Sequence, residues 1–326
     1  MPDTINFCTL FDKNYLTRGL VTHESLIQSA PNAQLYIFPF DDECLQILLQ
    51  LNLERATIIP LKEFEDDELL AIKNTRSKVE YCWTCTPSII LYAIEKYNLP
   101  SCTYIDSDML FFNSPEVLLN ELKREDAVLL TEHRYTPEFD STAASGRFCV
   151  QFMTFNNNEK GFSALKWWRE RCNEWCYHIA EDGKLGDQGY IQDWDTKFDG
   201  TVVMQHLGGG LAPWNIQQYD FTLNKNVLEG VEIKTQKLFQ PVFYHFHYLR
   251  FYNNREIKLT DYPLIDSHKI FIYYPYLLLL EKKKSMLMEK FNLSFNPHGT
   301  TDFVFPSPQP LSRKSKLKRA IKKLIS

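Results

Sequence analysis

Over the first ~130 positions, short apolar runs alternate with longer stretches whose apolar residues recur at helical spacing. Ile5–Phe11 reads as a buried strand, followed by a polar loop at 12–15 and a helix to about residue 28. Residues 34–40 form a second strand pattern. Asp41-Asp42-Glu43 suits the positive end of a helix running to Leu51. A third strand at 56–60 and a helix at 66–74 follow. The next helix is predicted over 87–97, with Thr86 as N-cap and Pro87 in the first turn. A strand at 102–105, a helix at 115–123 and a strand at 127–131 complete this half. The alternation predicts an α/β, Rossmann-like fold, with a mostly parallel central sheet and helices on both faces.

The second half is less regular. Strands are expected at 148–155, 201–205 and 242–246. A Trp-rich helix is expected at 159–178, a short helix at 187–195 and a late helix over Tyr274–Phe291. Pro297, Pro306, Pro308 and Pro310 mark an extended linker.

Composition narrows the class. The 326 residues are 44% hydrophobic, yet no run of about 18 apolar residues would cross a membrane. The first six residues show no basic-then-apolar leader, so the eight scattered cysteines are expected as reduced thiols in the cytoplasm. Cys82-x-x-Cys85 fits a redox or zinc motif, but no second such pair exists, and ordinary buried thiols fit better. Seven Lys or Arg fall in residues 312–326 with no acid. Set against a whole-chain charge of −5, they leave the rest at −12. An acidic body excludes a nucleic-acid-binding surface, which needs basic groups for phosphates.

The chemistry concentrates in five segments. Asp106-Ser107-Asp108 closes the apolar run 102–105, which puts two carboxylates at the carboxyl edge of the sheet, where such folds bind ligands. Like charges placed there need a cation or good donors. His245 and His247 follow a strand, with Arg250 shortly after. Either imidazole suits a Mn²⁺-like ion, and Arg250 suits a phosphate. Asp187-Gln188 leaves a glycine turn and could hold hydroxyls or steady positive charge. Gly208-Gly209-Gly210 lets backbone approach a ligand, and Trp214-Asn215 beyond it offers a flat face and an amide. Arg76 and Lys78 stand before Glu80-Tyr81-Cys82, where a diphosphate could dock.

Taken in order, these segments resemble the retaining glycosyltransferases of the GT-A fold, family 8-like, over roughly residues 5–252. Phe11-Asp12-Lys13-Asn14-Tyr15 is similar to the family's first loop, where the nucleoside lies. Asp106-Ser107-Asp108 is similar to its metal motif, Asp187-Gln188 to its catalytic pair, and Leu211-Ala212-Pro213-Trp214-Asn215 to its Pro-Trp-Asn loop. The late His-x-Gly-x-x-Lys motif stands here as His245-Phe246-His247-Tyr248-Leu249-Arg250, so His245 or His247 is the implied third ligand. The family's Asn-x-Gly acceptor strand reads Cys149-Val150-Gln151, which brings Gln151 toward the acceptor.

The resemblance implies Mn²⁺ or Mg²⁺ on Asp106, Asp108 and a histidine. A UDP-sugar would touch Phe11, Asp12, Tyr15, Arg76, Lys78, Ser107, Trp214, Asn215 and Arg250. A glycan or lipid-linked glycan acceptor would meet Gln151 and Trp214. The implied reaction transfers a hexose or N-acetylhexosamine in bacterial surface polysaccharide or lipopolysaccharide assembly. The expected layout is a catalytic domain at 1–265, a helical extension at 266–295, the linker at 296–311 and a basic tail at 312–326. Two rival readings are a nucleotidyl- or phosphoryl-transfer enzyme and an inactive sugar-binding module. The first usually has a glycine-rich loop after its first strand, and no glycine appears here until Gly19.

In the tail, Leu317, Ile321, Leu324 and Ile325 fall on one helical face with lysines and arginines around the rest. That pattern predicts peripheral attachment to an anionic surface, on the inner face of the cytoplasmic membrane.

Overall fold

The computed structural model describes residues 4–181, 183–253 and 255–301. In chain order the strands that build the fold are β1 (Ile5–Phe11), β2 (Ala33–Pro39), β3 (Ala56–Ile58), β4 (Ser101–Ile105), β5 (Met109–Phe111), β6 (Val128–Glu132), β7 (Phe148–Asn156) and β8 (Thr201–Val203). Then come β9 (Tyr219–Asn224), β10 (Val227–Glu232), β11 (Leu238–Phe239) and β12 (Phe243–His245). Seven of them form the central sheet in the order β3-β2-β1-β4-β7-β6-β8. Only β7 runs against its neighbours, pairing antiparallel with β4 and β6. The expected mostly parallel sheet is therefore present.

Strand alternation sorts the side chains onto two faces. Phe7, Leu35, Ile37, Ile105 and Leu129 share one core with Leu20 and Leu26 of helix Leu16–Ser29 and Ile47 and Leu48 of helix Asp42–Leu51. Cys8, Tyr36, Phe38, Tyr104 and Leu130 share the other with helices Lys78–Tyr97 and Glu159–Glu174. Each large apolar side chain buried there is worth roughly 1.5–3 kcal/mol.

Several helices depart from expectation. The one predicted at 115–123 is a single turn, Glu116–Leu119, and the one at 187–195 is split into Gln188–Ile191 and Trp194–Lys197. The helix predicted from residue 87 begins at Lys78, because Ser77 and Glu80 close a capping box. Thr86 and Pro87 therefore lie inside the helix rather than at its start. The helix predicted to residue 178 ends at Glu174. Trp175 is extended, and its carbonyl accepts the Tyr190 hydroxyl at 2.7 Å.

The late helix Tyr274–Phe291 lies where the pattern put it. Lys283 reaches Glu24 of helix Leu16–Ser29 at 3.1 Å, and Leu287 joins the core on that side. The described start of the expected linker, 296–301, is docked rather than free. The His298 ring is buried, lies 2.8 Å from the Thr17 hydroxyl, and stacks on Phe251 with centroids 4.2 Å apart. The rest of the linker and the basic tail lie outside the described residues. No helix among the described residues is long and apolar enough to cross a membrane.

Candidate active site

β4 ends at Ile105, and the Asp106 N–H makes a last bond to the Gln151 carbonyl at 3.1 Å. The chain turns at Ser107 and re-forms as β5. On one side β5 pairs with β12, with His245 opposite Met109. On its other side its backbone is met by hydroxyls of helix Leu16–Ser29. The Met109 and Phe111 N–H groups donate to Thr22 Oγ1 and Ser25 Oγ, both at 3.1 Å, and the Thr22 hydroxyl reaches the Ser107 carbonyl at 2.7 Å. The Phe246 N–H donates to the Asp108 carbonyl at 2.9 Å, which fixes where β12 stops. A strand from far downstream is thereby locked against the acidic turn.

This register brings His245, rather than His247, to the two acids. His245 Nε2 lies 3.1 Å from Asp108 Oδ1 and 3.4 Å from Asp106 Oδ2, and one ligand-type atom from each residue falls within a 4.8 Å cluster. His247 is outside that cluster. Its ring is 5.5 Å from the His245 ring and 5.6 Å from Trp214. Burial and the His245 charge hold its pKa down at about 4.

On the far side of the His245 ring, Nδ1 lies 2.8 Å from Gln151 Oε1. Burial lowers the His245 pKa, but Asp108 and Asp106 outweigh it and raise it above the ordinary value. With Nδ1–H donating to Gln151, Nε2 is the nitrogen turned to the carboxylates, which is how metal-binding imidazoles are held once the proton is displaced. Burial pushes the Asp106 pKa up. Burial acts on Asp108 too, but His245 outweighs it and holds that group at about 2. Among the described residues no Lys or Arg pairs with either acid. Two carboxylate oxygens and an oriented imidazole that gives up its proton to a metal form a donor set that fits a divalent ion such as Mn²⁺ or Mg²⁺.

The other predicted residues divide. Asp187 is buried close to this cluster. Burial raises its pKa to about 7, a hydrogen bond from Thr86 opposes the rise, and the Asp106 charge adds to it. Gln188 donates through Nε2 to the Ser145 carbonyl at 2.8 Å, and its Oε1 takes no hydrogen bond among the described residues. Trp214 packs edge-on to His245 at 5.7 Å and donates to the His133 carbonyl at 2.9 Å. Tyr15 sits exposed on the loop side, with the Arg18 guanidinium 4.6 Å from its ring centroid. Asp12 and Lys78 lie 2.6 Å apart, and Lys78 also reaches Asp41 at 3.2 Å. The Ser107 side chain is largely buried in the acidic turn. Gln151, expected at the acceptor, is wholly buried with its oxygen committed to His245; its Nε2 has no partner among the described residues.

The remaining four predicted residues have partners elsewhere in the fold. The Phe11 ring is core, packed so closely on Gly19 that a Cβ there would come within 2.4 Å of it. Asn215 is fully buried, and its amide is spent on Ala212 N and on the carbonyls of His133 and Gly210. Arg76 is held by the Tyr177 hydroxyl and the Asn173 carbonyl beside helix Glu159–Glu174. Arg250 lies over the Tyr248 ring and 3.8 Å from Asp261.

The residues that sequence reasoning missed are Arg18, Thr22 and Ser25, at i, i+4 and i+7 of one helix, together with Thr86 and His133. The first three formed a legible signal: a polar stripe on a helix that must be buried.

No family model matches the chain. It is 29% identical to the uncharacterized protein YfnD of Bacillus subtilis over 285 residues, covering 86% of this chain and 89% of YfnD. It is 30% identical to the uncharacterized protein YfnF of the same organism over 281 residues, covering 81% of this chain and 90% of YfnF. Among solved structures, it is similar to the apo form of the glycosyltransferase GlyE of Streptococcus pneumoniae, with 13% identity and a TM-score of 0.48. That match covers 87% of this chain and 64% of the GlyE chain. It is also similar to the galactosyltransferase LgtC in complex with donor and acceptor sugar analogues. There the identity is 10%, the TM-score 0.48, and the match covers 85% of this chain and 96% of LgtC. Both are glycosyltransferases. At these scores the likeness is one of outline and adds nothing to the residue-level reading.

Proposed function

We propose that this chain, which belongs to the family of the Bacillus subtilis protein YfnF, is a metal-dependent retaining glycosyltransferase of the GT-A fold. It would move a hexose or N-acetylhexosamine from a UDP-sugar to a glycan acceptor in surface polysaccharide assembly. The observation that carries the reading is the cluster of Asp106, Asp108 and His245 at the carboxyl edge of the sheet, with His245 turned by Gln151.

Mn²⁺ or Mg²⁺ held there would supply the positive charge that a departing diphosphate needs. Asp106 and Asp108 provide the anionic oxygens, and Gln151 keeps the His245 lone pair aimed at the same point. Tyr15 and Asp12 line the loop that receives the nucleoside. Asp187, beside Asp106, accepts hydroxyl hydrogens of the sugar. Gln188 Oε1 steadies the positive charge that grows at the anomeric carbon as its bond to the diphosphate breaks. The acceptor oxygen attacks from the same face, forms the new glycosidic bond, and its proton passes to the leaving diphosphate. An amide is a poor nucleophile, so Gln188 stays a stabiliser.

The test is UDP release from a panel of UDP-sugars with Mn²⁺, with and without EDTA. Release that EDTA stops and Mn²⁺ restores supports the reading. Release of UMP or of sugar 1-phosphate in its place would assign phosphoryl or nucleotidyl transfer, and nucleotide-sugar binding without turnover would leave a sugar-binding module. The tail at 312–326 is proposed to hold the protein on an anionic membrane, next to a lipid-linked acceptor. A chain lacking it should leave anionic vesicles yet keep its UDP release.

A further inference from the structure

Arg18 is a buried guanidinium that forms no ion pair among the described residues; it is 4% exposed. Taking such a charge out of water is costly unless its N–H groups are used and negative charge lies near. Its donors go to three main-chain carbonyls far apart in sequence. Nη1 donates to Asn14 at 3.3 Å and to His298, and Nη2 donates to Leu249 at 3.1 Å. Its Cζ lies 4.6 Å from the Tyr15 ring centroid and 5.3 Å from that of Phe251. Asp108 is near enough for Arg18 to help hold its carboxylate ionised.

The segment 296–301 is fixed at several further points. The Thr17 N–H donates to the Pro297 carbonyl at 3.3 Å, His298 Nε2 lies 3.0 Å from Glu281, and the Thr301 N–H donates to the Phe251 carbonyl at 3.0 Å. At Gly299 the backbone is left-handed with φ +66°, and a Cβ there would come within 2.6 Å of the Asn14 carbonyl oxygen. This segment is thus packed against the backbone of the loop at 12–15.

We propose that Arg18 is a positioning residue of the nucleotide site. Its planar fork ties the loop at 12–15, the loop at 247–250 and the segment 296–301 into one unit, so residues far downstream set the shape of the nucleoside loop. This rests on the reading of that loop given above. A lysine ammonium has no flat fork and cannot span the same three carbonyls.

Calorimetry with Mn²⁺ alone, and with UDP in the presence of Mn²⁺, tests the proposal on the full chain. Arg18→Met should weaken UDP binding about tenfold, and Arg18→Lys should restore only part of it. Mn²⁺ affinity should not fall, because removing a cation near Asp108 cannot repel the ion, whereas a collapsed site would lose it. Gly299→Val, which pushes the segment off Asn14 with Arg18 intact, should give a similar loss of UDP affinity. The double variant should lose less than the two singles combined. Should Arg18→Met not fold, Arg18→Lys and Gly299→Val carry the same comparison. Wild-type UDP binding with unchanged affinity in the variants overturns this proposal alone. Wild-type protein that binds Mn²⁺ but no UDP overturns the reading of the site and this proposal with it.

Discussion

On the loop side of the site, Lys78 lies 2.6 Å from Asp12 and 3.2 Å from Asp41, Lys13 is paired with Glu43, and Arg250 stands 3.8 Å from Asp261. At the sheet edge, the ion-pair partner of Asp106 and Asp108 among the described residues is the imidazole of His245, 3.4 and 3.1 Å away, and Asp106 also accepts the Tyr104 hydroxyl at 2.9 Å. The first region balances its charges internally and at the surface, where such pairs contribute at most about 1 kcal/mol. The second leaves two buried carboxylates to share a single imidazole in direct contact, so negative charge there is only partly matched. Charge already matched inside the protein is scaffold; charge left unmatched is where a ligand must supply the opposite sign.

The widest gap between the two regions should appear on removing one unmatched charge. Asp108→Asn keeps the shape and deletes a ligand oxygen's charge. UDP release should fall by several kcal/mol in barrier, on the order of a thousandfold, with an unchanged circular dichroism spectrum. A variant that releases UDP at the wild-type rate would remove the metal from the site.

A second test uses stability. Burial lifts Asp187 to about 7, so the folded protein holds that proton more tightly than the unfolded chain does. The stability from neutral Asp187 is therefore full below the unfolded value of about 4 and is lost as pH rises through about 7. Asp187→Asn should abolish transfer yet raise stability at pH 8 in EDTA by up to roughly 4 kcal/mol, with little change at pH 4. Equal melting shifts at both pH values would contradict the buried, uncompensated carboxyl.

Gln151→Leu tests the orientation of His245 rather than its presence. Mn²⁺ affinity should drop about 10–100-fold, measured by calorimetry, with much of the turnover recovered at saturating Mn²⁺. The smallest effect belongs to the matched side. Lys78→Met should change the KM for a UDP-sugar by less than about fivefold. A larger loss in steady-state kinetics would mean that Lys78 leaves its acids to meet the diphosphate.

Much of this was legible in the sequence. Most strands of the first half follow from apolar period, whereas the start of helix Lys78–Tyr97 and the three-residue β5 do not; Asp106, Asp108 and a downstream histidine were found as residue types. What could not be read was register. Whether His245 or His247 meets the acids depends on β12 pairing with β5 so that His245 falls opposite Met109, and a three-residue strand leaves no period to detect. The β9–β10 hairpin was missed because its turn residues, Lys225 and Asn226, take left-handed φ of 48° and 66° without a glycine. Asn215 and Phe11 looked like ligand-facing residues because an amide in a glycine loop and an aromatic at a strand end suit a sugar and a base equally well. Burial gave both to the scaffold.

The antiparallel pairing of β5 with β12 also has a consequence in time. Asp108 and His245 are separated by 137 positions. During synthesis at about 5–20 residues per second, roughly 7–27 s pass between the emergence of the acids and that of the imidazole. The nascent chain can fold its parallel half in that interval while the third ligand is still missing. Only a chain that has closed the strand pair between β5 and β12 holds all three ligands, so ion capture would mark the closure of that pair.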